Sequence, residues 1–315
     1  MLTDFMHVVS FVGSGAFYLP VIVLVFWCVS PRFGARAAVV MSFGSVVNTV
    51  LKLAFHSPRP FWTDASITGH EGRDSFGMPS GHAQSASLAW GFLAVHLRRW
   101  TVWAAAAVMV VLIGVSRVQL GVHSVGQVVA GWAVGAVLLV AALGLEPLVV
   151  PWWRARALAV QLALCLAVSG AFLLAAWAAV ESLEGWEWPA AWSQAIVEAG
   201  GTTGPITLSR GATAAGGLCG ILAGVTVLAH RGGFEAEGVL WRRLARVPVG
   251  VTGLLAIYAC GLPFGDQPVQ AFAVQALLGL WTAAGAPEAF VRLGLARRTP
   301  RAVTRAGEGV AELRQ

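Results

Sequence analysis

Charge is scarce in this sequence. Only 11% of its 315 residues are Asp, Glu, Lys or Arg, and Lys52 is the sole lysine. With 57% apolar residues and a mean hydropathy of +0.73, the chain carries more hydrocarbon than one water-facing core can hide. An ordinary soluble domain is therefore excluded. Cysteine is scarce too. Cys28, Cys165, Cys219 and Cys260 stand singly in or beside apolar segments, with no CxxC pair. They read as small buried hydrophobes, not as a disulfide framework or a metal site. His56 and His70 lack the company of a ligand set, so no metal and no cofactor is expected. A basic stripe is missing as well. The arginines are scattered between apolar segments, which argues against a nucleic-acid partner. Met1 to His7 has no basic n-region, and the first apolar segment no small-residue cleavage site. It reads as a retained span, not a signal peptide.

What is present is a succession of apolar segments near the length that crosses a bilayer. Nine are expected, at about 9–29, 35–55, 82–97, 101–117, 123–145, 157–180, 204–229, 247–264 and 269–291. The expected fold class is all-α, a polytopic transmembrane helical bundle. The 14 Trp suit a protein with many interfacial edges. Of the 21 basic residues, 16 fall on one side of such a bundle: Arg32, Arg36, Arg98, Arg99, Arg154, Arg156, Arg231, Arg242, Arg243, Arg246 and the six arginines from Arg292 onward. The positive-inside rule then puts the N-terminus outside and the C-terminus in the cytoplasm. Residues 1–145 read as a membrane-embedded core, 146–297 as a transmembrane extension and 298–315 as a basic cytoplasmic tail that could touch anionic headgroups.

The exceptions to the charge rule carry the chemistry. Of the outer basic residues, Lys52, Arg59 and Arg117 belong to three polar segments: Lys52 to Pro60, Pro79 to His82, and Ser116 to Gln127. Ions at a membrane edge are costly and are functional candidates by default. Fixed cations and N–H donors suit a phosphoryl group, whose charge lies on peripheral oxygens. Arg59 stands between Pro58 and Pro60, which end the preceding helix. Pro79-Ser80-Gly81-His82 reads as a helix start whose free amides can hold an anion, with His82 placed to protonate a leaving oxygen. His123 is the candidate nucleophile, since an imidazole nitrogen can attack phosphorus and divide hydrolysis into two easier steps. Snorkelling would explain a lone lysine, and an interfacial histidine would explain His82 alone. Neither explains the ordered set.

That order, Lys52-x6-Arg59-Pro60, then Pro79-Ser80-Gly81-His82, then Ser116-Arg117-x5-His123, resembles the signature of the type 2 phosphatidic acid phosphatase and haloperoxidase superfamily. The resemblance implies a helical core and metal-independent hydrolysis through a phosphohistidine. It implies Lys52, Arg59, Ser80, Gly81 and Arg117 as phosphate ligands, His82 as general acid and His123 as nucleophile. The family's usual pattern has Asp four residues after the nucleophile; here Gln127 stands there. Gln can accept the same N–H but adds no full charge, so orientation is expected to survive with less electrostatic help. The chain is also similar to glucose-6-phosphatase in its Gln-containing pattern, its nine spans, its outer N-terminus and the Asn48-x3-Lys52 spacing.

The expected activity is hydrolysis of a lipid phosphate or diphosphate, such as phosphatidate or an isoprenyl diphosphate, at the extracytoplasmic face of the inner (plasma) membrane, with membrane lipids as surroundings. A sugar phosphate entering from water, or phosphotransfer to an alcohol, would need the same residues. A transporter or a phospholipid-binding protein is the non-enzymatic alternative. Residues 61–78 read either as the lining of the entrance, with Phe61 and Trp62 at the membrane edge and Arg73 near substrate, or as a solvated loop with two anchoring aromatics. Arg210 is a candidate supporting contact or a partner for a loop carboxylate, and Glu71 or Asp74 could supply the carboxylate that Gln127 lacks.

Overall fold

The structure, a computed structural model, describes residues 1–299 apart from positions 203 and 266. Most of the expected basic tail lies outside the described residues. The chain forms helices α1 (Leu2–Val12), α2 (Gly15–Cys28), α3 (Pro31–Phe55), α4 (Pro60–Thr63), α5 (Gly81–Leu97), α6 (Trp100–Gln119) and α7 (Val125–Arg154). There follow α8 (Leu158–Glu181), α9 (Ala190–Glu198), α10 (Leu208–His230), α11 (Leu240–Gly261), α12 (Pro268–Leu280) and α13 (Ala286–Arg292). The last two run together through a wide turn at Trp281–Gly285. Backbone donors and acceptors in a bilayer need partners within the segment, which is why apolar stretches of this length become helices.

Among the described residues, seven helices, or helix pairs run together, are long and apolar enough to cross a membrane, and counting the pair α1 and α2, bent by 43°, as one span gives eight. Each of the nine expected segments has a helical counterpart. α5 is the exception on length, with 17 residues. At about 1.5 Å per residue it reaches roughly 25 Å, short of a hydrocarbon core about 30 Å thick. It compensates by being enclosed, packing on α3, α6 and α7. Gly131 and Gly135 of α7 permit this, because a Cβ at either would lie 2.6 Å and 2.5 Å from the carbonyl oxygens of Ser80 and Gln84. Gln84, buried on α5, donates to the Gly44 carbonyl (2.7 Å) and accepts from Asn48 Nδ2 (2.9 Å), locking α5 to α3.

The two halves of the chain meet at the end of the bundle where α3 stops and α5 starts. Leu53, Phe61, Trp62, Phe76, Leu120 and Val122 form one buried cluster with Ala176, Leu183 and Ile196 of the second half. Phe61 and Trp62 are only 5% and 3% exposed. This corrects the expectation that they line the entrance: the loop folds back and α8 and α9 cover it, so the rings become core. Burying such a ring contributes about 1.5–3 kcal/mol, and the pair anchors the loop after α3 against the second half. Within the second half, Gly216, Gly220 and Gly224 of α10 form a small-residue face against Phe272, Ala276 and Ala283, the close helix contact favoured where lipid supplies no hydrophobic drive.

Candidate active site

Three chain reversals bring the polar segments together. α3 ends at His56 in a left-handed conformation, and Pro60 starts α4, leaving Arg59 as its N-cap. α6 ends at Gln119, and Gly121, at φ +70°, turns the chain so that the His123 amide donates back to the Arg117 carbonyl (3.2 Å). Ser124 then caps α7: its Oγ accepts from the Gln127 amide (3.3 Å) while Gln127 Oε1 accepts from the Ser124 amide (3.3 Å). This reciprocal cap aims Gln127 back at His123. The start of α5 joins the group through the Ser80 amide, which donates to the Gln127 carbonyl (3.0 Å).

The tautomer of His123 follows from its neighbours. Gln127 Nε2 donates to the Pro58 carbonyl (2.7 Å), an oxygen that can only accept. The amide oxygen Oε1 therefore faces His123 Nδ1, at 3.1 Å, and that nitrogen carries the proton. Nε2 is left with its lone pair, and Arg59 Nη1 donates to it at 3.1 Å. The ring is buried, and Arg59, Lys52 and Arg117 surround it. Burial first, then these three cations, push its pKa well below the usual imidazole value. His123 is thus held neutral, with its basic nitrogen facing a guanidinium.

Arg59 is itself 2% exposed. It donates through Nε to the Ser75 carbonyl (2.7 Å), through Nη1 to the Val122 carbonyl (2.9 Å) and through Nη2 to Ser75 Oγ (3.1 Å). Lys52 Nζ donates to the Phe76 carbonyl, which also receives Arg59 Nη2 at 3.4 Å. Arg117, equally buried, makes a two-pronged pair with Glu71: Nη1 to Oε1 and Nη2 to Oε2, both 2.9 Å. It also donates to Ser10 Oγ of α1. Glu71 receives Arg73 in addition, at 3.0 Å from Nε and 2.5 Å from Nη2. Burial alone would raise the Glu71 pKa, but Arg117 and then Arg73 outweigh it and hold the carboxyl well below the usual range. Ser80 Oγ and His82 Nε2 are buried at the head of α5 with no hydrogen-bond partner among the described residues, beside the free amides of its first turn. Donors and cations are thereby gathered from four parts of the chain onto segments linked by hydrogen bonds. Such a set suits a tetrahedral oxyanion next to an unprotonated imidazole nitrogen.

Comparison with known proteins decides the family. The model described as "PAP2 superfamily" matches residues 33–151, and that described as "PAP2 superfamily phosphatase, transmembrane extension" matches residues 212–298. The chain is 32% identical over 158 residues to phosphatidylglycerophosphatase B of Bacillus subtilis, covering 46% of this chain and 75% of that one. The chain belongs to the PAP2 superfamily. It is 28% identical to the dolichyldiphosphatase of Saccharomyces cerevisiae over 43% of its own length and 63% of the relative's. It is 27% identical to lipid phosphate phosphatase delta of Arabidopsis thaliana over 44% and 37%. A crystal structure of the Bacillus subtilis PAP2-type phosphatidylglycerolphosphate phosphatase matches 47% of this chain and 78% of that one, at 29% identity and a TM-score of 0.41.

As a PAP2 phosphatase the chain is an integral-membrane hydrolase of phosphate esters or anhydrides. The expected site residues of this PAP2 phosphatase, Lys52, Arg59, Ser80, Gly81, His82, Arg117, His123 and Gln127, all lie on segments joined by the bonds above. Neither Glu71 nor Asp74 replaces the missing carboxylate beside His123. Glu71 serves Arg117, and Asp74 pairs with Arg210 (Oδ2 to Nη2, 2.6 Å). Arg73 binds Glu71. Three participants were not foreseen. Ser10 reaches Arg117 from an apolar segment that carries no local signal. Ser75 and Phe76 act largely through backbone carbonyls, which no side-chain pattern reports.

Proposed function

We propose that this PAP2 phosphatase hydrolyses a lipid phosphate or diphosphate at the extracytoplasmic face of the inner membrane, through a phosphohistidine on His123. The observation that carries the reading is the chain Gln127 Oε1, His123, Arg59, with the proton fixed on Nδ1 and the lone pair on Nε2. A phosphate oxygen is a better acceptor for Arg59 than a neutral ring nitrogen. Substrate therefore draws the guanidinium to itself and bares Nε2. That nitrogen attacks phosphorus; a P–N bond forms as the P–O bond to the leaving group breaks. Arg59, Lys52, Arg117 and the amides of Gly81 and His82 hold the phosphoryl oxygens. The negative charge of the bound phosphate favours the protonated His82 ring, which gives its proton to the leaving oxygen and then takes one from the water that displaces His123, restoring both rings. Gln127 holds the Nδ1 proton while the ring becomes positive.

The names of the curated relatives, the membrane-spanning helices and the location of the site at helix ends support a lipid substrate entering from the side. The arginine distribution supports an outer site with the C-terminal end of the chain inside. Residues 1–145 then carry the chemistry, and 146–297 cover its outer end. The decisive test is phosphate release by the purified protein in detergent micelles. Native protein should release phosphate from a lipid phosphate, and His123→Ala should not. Labelled substrate, quenched mid-turnover, should leave an acid-labile phosphoryl group on native protein. Equal release by both proteins would refute the nucleophile.

A further inference from the structure

We propose that the cavity between α3 and the start of α10 is a second anion subsite, that Arg210 reads it, and that the preferred substrate is a diphosphate ester. This rests on the phosphatase reading above. A cavity of about 190 Å³ opens there, with Asn48, Thr49, Lys52, Ser75, Thr207 and Arg210 in its wall. That is room for a phosphate group, several times the roughly 30 Å³ share of a water molecule. Leu53, Phe76 and Pro205 complete the wall, and two of its nine residues are cations, one from each half of the chain.

The loop between α4 and α5 explains why they are close. Three consecutive residues each hold one base: Asp74 holds Arg210, Ser75 holds Arg59 and Phe76 holds Lys52. Arg210 is therefore tied to the same strand of loop as two candidate ligands of the transferred phosphate. Lys52 belongs to both places. Its ammonium has three donors, and one is used on Phe76. Arg210 is 36% exposed and lies in the cavity wall with its Nη groups on Asp74. Thr202 Oγ1 also donates to Asp74 Oδ2 (2.9 Å), so the carboxylate keeps a partner when Arg210 turns to a ligand. A planar guanidinium suits two phosphate oxygens at once.

With a diphosphate, the terminal phosphoryl passes to His123 Nε2 and the bridging P–O bond breaks. The bridging oxygen keeps the electron pair, and the leaving group is a monophosphate ester. Arg210 and Lys52 neutralise the charge it gains. A plain monophosphate offers nothing to Arg210.

The test uses a prenyl diphosphate and the prenyl monophosphate of the same tail, in the same micelles. The ratio of kcat/KM for diphosphate over monophosphate should fall about tenfold or more in Arg210→Gln, and Arg210→Lys should restore part of it. Calorimetry with methylenediphosphonate and methylphosphonate supplies a readout without turnover; only the first should lose affinity. An unchanged ratio in both assays, or equal loss on both ligands, overturns the subsite. If native protein hydrolyses neither ester yet binds methylenediphosphonate through Arg210, the phosphatase reading falls and the subsite stands.

Discussion

Replacing Gln127 separates the two things a residue can do for a nucleophilic imidazole. In Gln127→Ala the Nδ1–H loses its acceptor at 3.1 Å and the Pro58 carbonyl loses its donor at 2.7 Å. A neutral hydrogen bond is worth about 0.5–1.5 kcal/mol net. Converted to rate, loss of the Nδ1 bond costs about two- to thirteenfold. The ring is also freed to adopt the other tautomer, which points the wrong nitrogen at phosphorus. Together these predict kcat reduced by roughly 10- to 100-fold, with KM little changed, because the phosphate ligands remain. Gln127→Glu keeps the acceptor and adds charge, which favours the imidazolium-like intermediate. It also turns an oxygen toward the Pro58 carbonyl where an N–H had been. The expected result is activity between Gln127→Ala and native. Phosphate release at saturating substrate, with melting curves for each variant, measures this. Native-like kcat in Gln127→Ala, or loss as complete as in His123→Ala, would refute the tautomer argument.

Other outcomes follow from the same geometry. Burial and the cations around His123 keep its pKa below the usual imidazole value, near 6.5, so the acid limb of kcat/KM should lie below that pH. The unfolded chain binds this proton first, so the same group lowers stability as pH falls through the unfolded value; a pH–Tm series checks the sign. Glu71 occupies the two-donor face of Arg117, so Glu71→Gln should tighten inhibition by inorganic phosphate about fivefold, the difference between charged and neutral hydrogen bonds; weaker inhibition would mean that Glu71 is needed to place Arg117. A Cβ on Gly77 would lie 2.4–2.7 Å from the Gln127 amide, and Gly77→Ala should therefore reproduce the Gln127→Ala defect in kcat. Arg246, fully buried, donates to the carbonyls of Trp27, Ala236, Glu237 and Leu295. Arg246→Leu should lower Tm markedly, since each orphaned buried carbonyl costs about 1–3 kcal/mol, while kcat of the surviving fold stays near native.

The sequence exposed what membrane burial makes expensive. Lys52, Arg59 and Arg117 stood out because cations at the ends of apolar segments need a reason, and the structure puts them on linked segments. The helices were legible for the same reason, although α5 is shorter than a full crossing and α1 stands apart from α2 behind a bend at residues 13–14. Gln127 was legible as an acceptor, and its partner is indeed His123. Long-range pairing was not. Glu71 and Arg117 are 46 residues apart, and nothing local distinguishes Glu71 from Asp74. Phe61 and Trp62 were misplaced because an aromatic pair next to a helix end has the same pattern at a lipid edge as under a folded loop. Only α8 and α9, far along the chain, decide between the two.

The segment Asp74-Ser75-Phe76 grips two of its three bases chiefly by main-chain oxygen. Substitution cannot delete such an oxygen, but a shift of one residue moves all three grips together. Deep scanning of this region should tolerate changes of identity at Ser75 far better than changes of length. An evolutionary or engineered insertion here would retune the whole set of cations in one step.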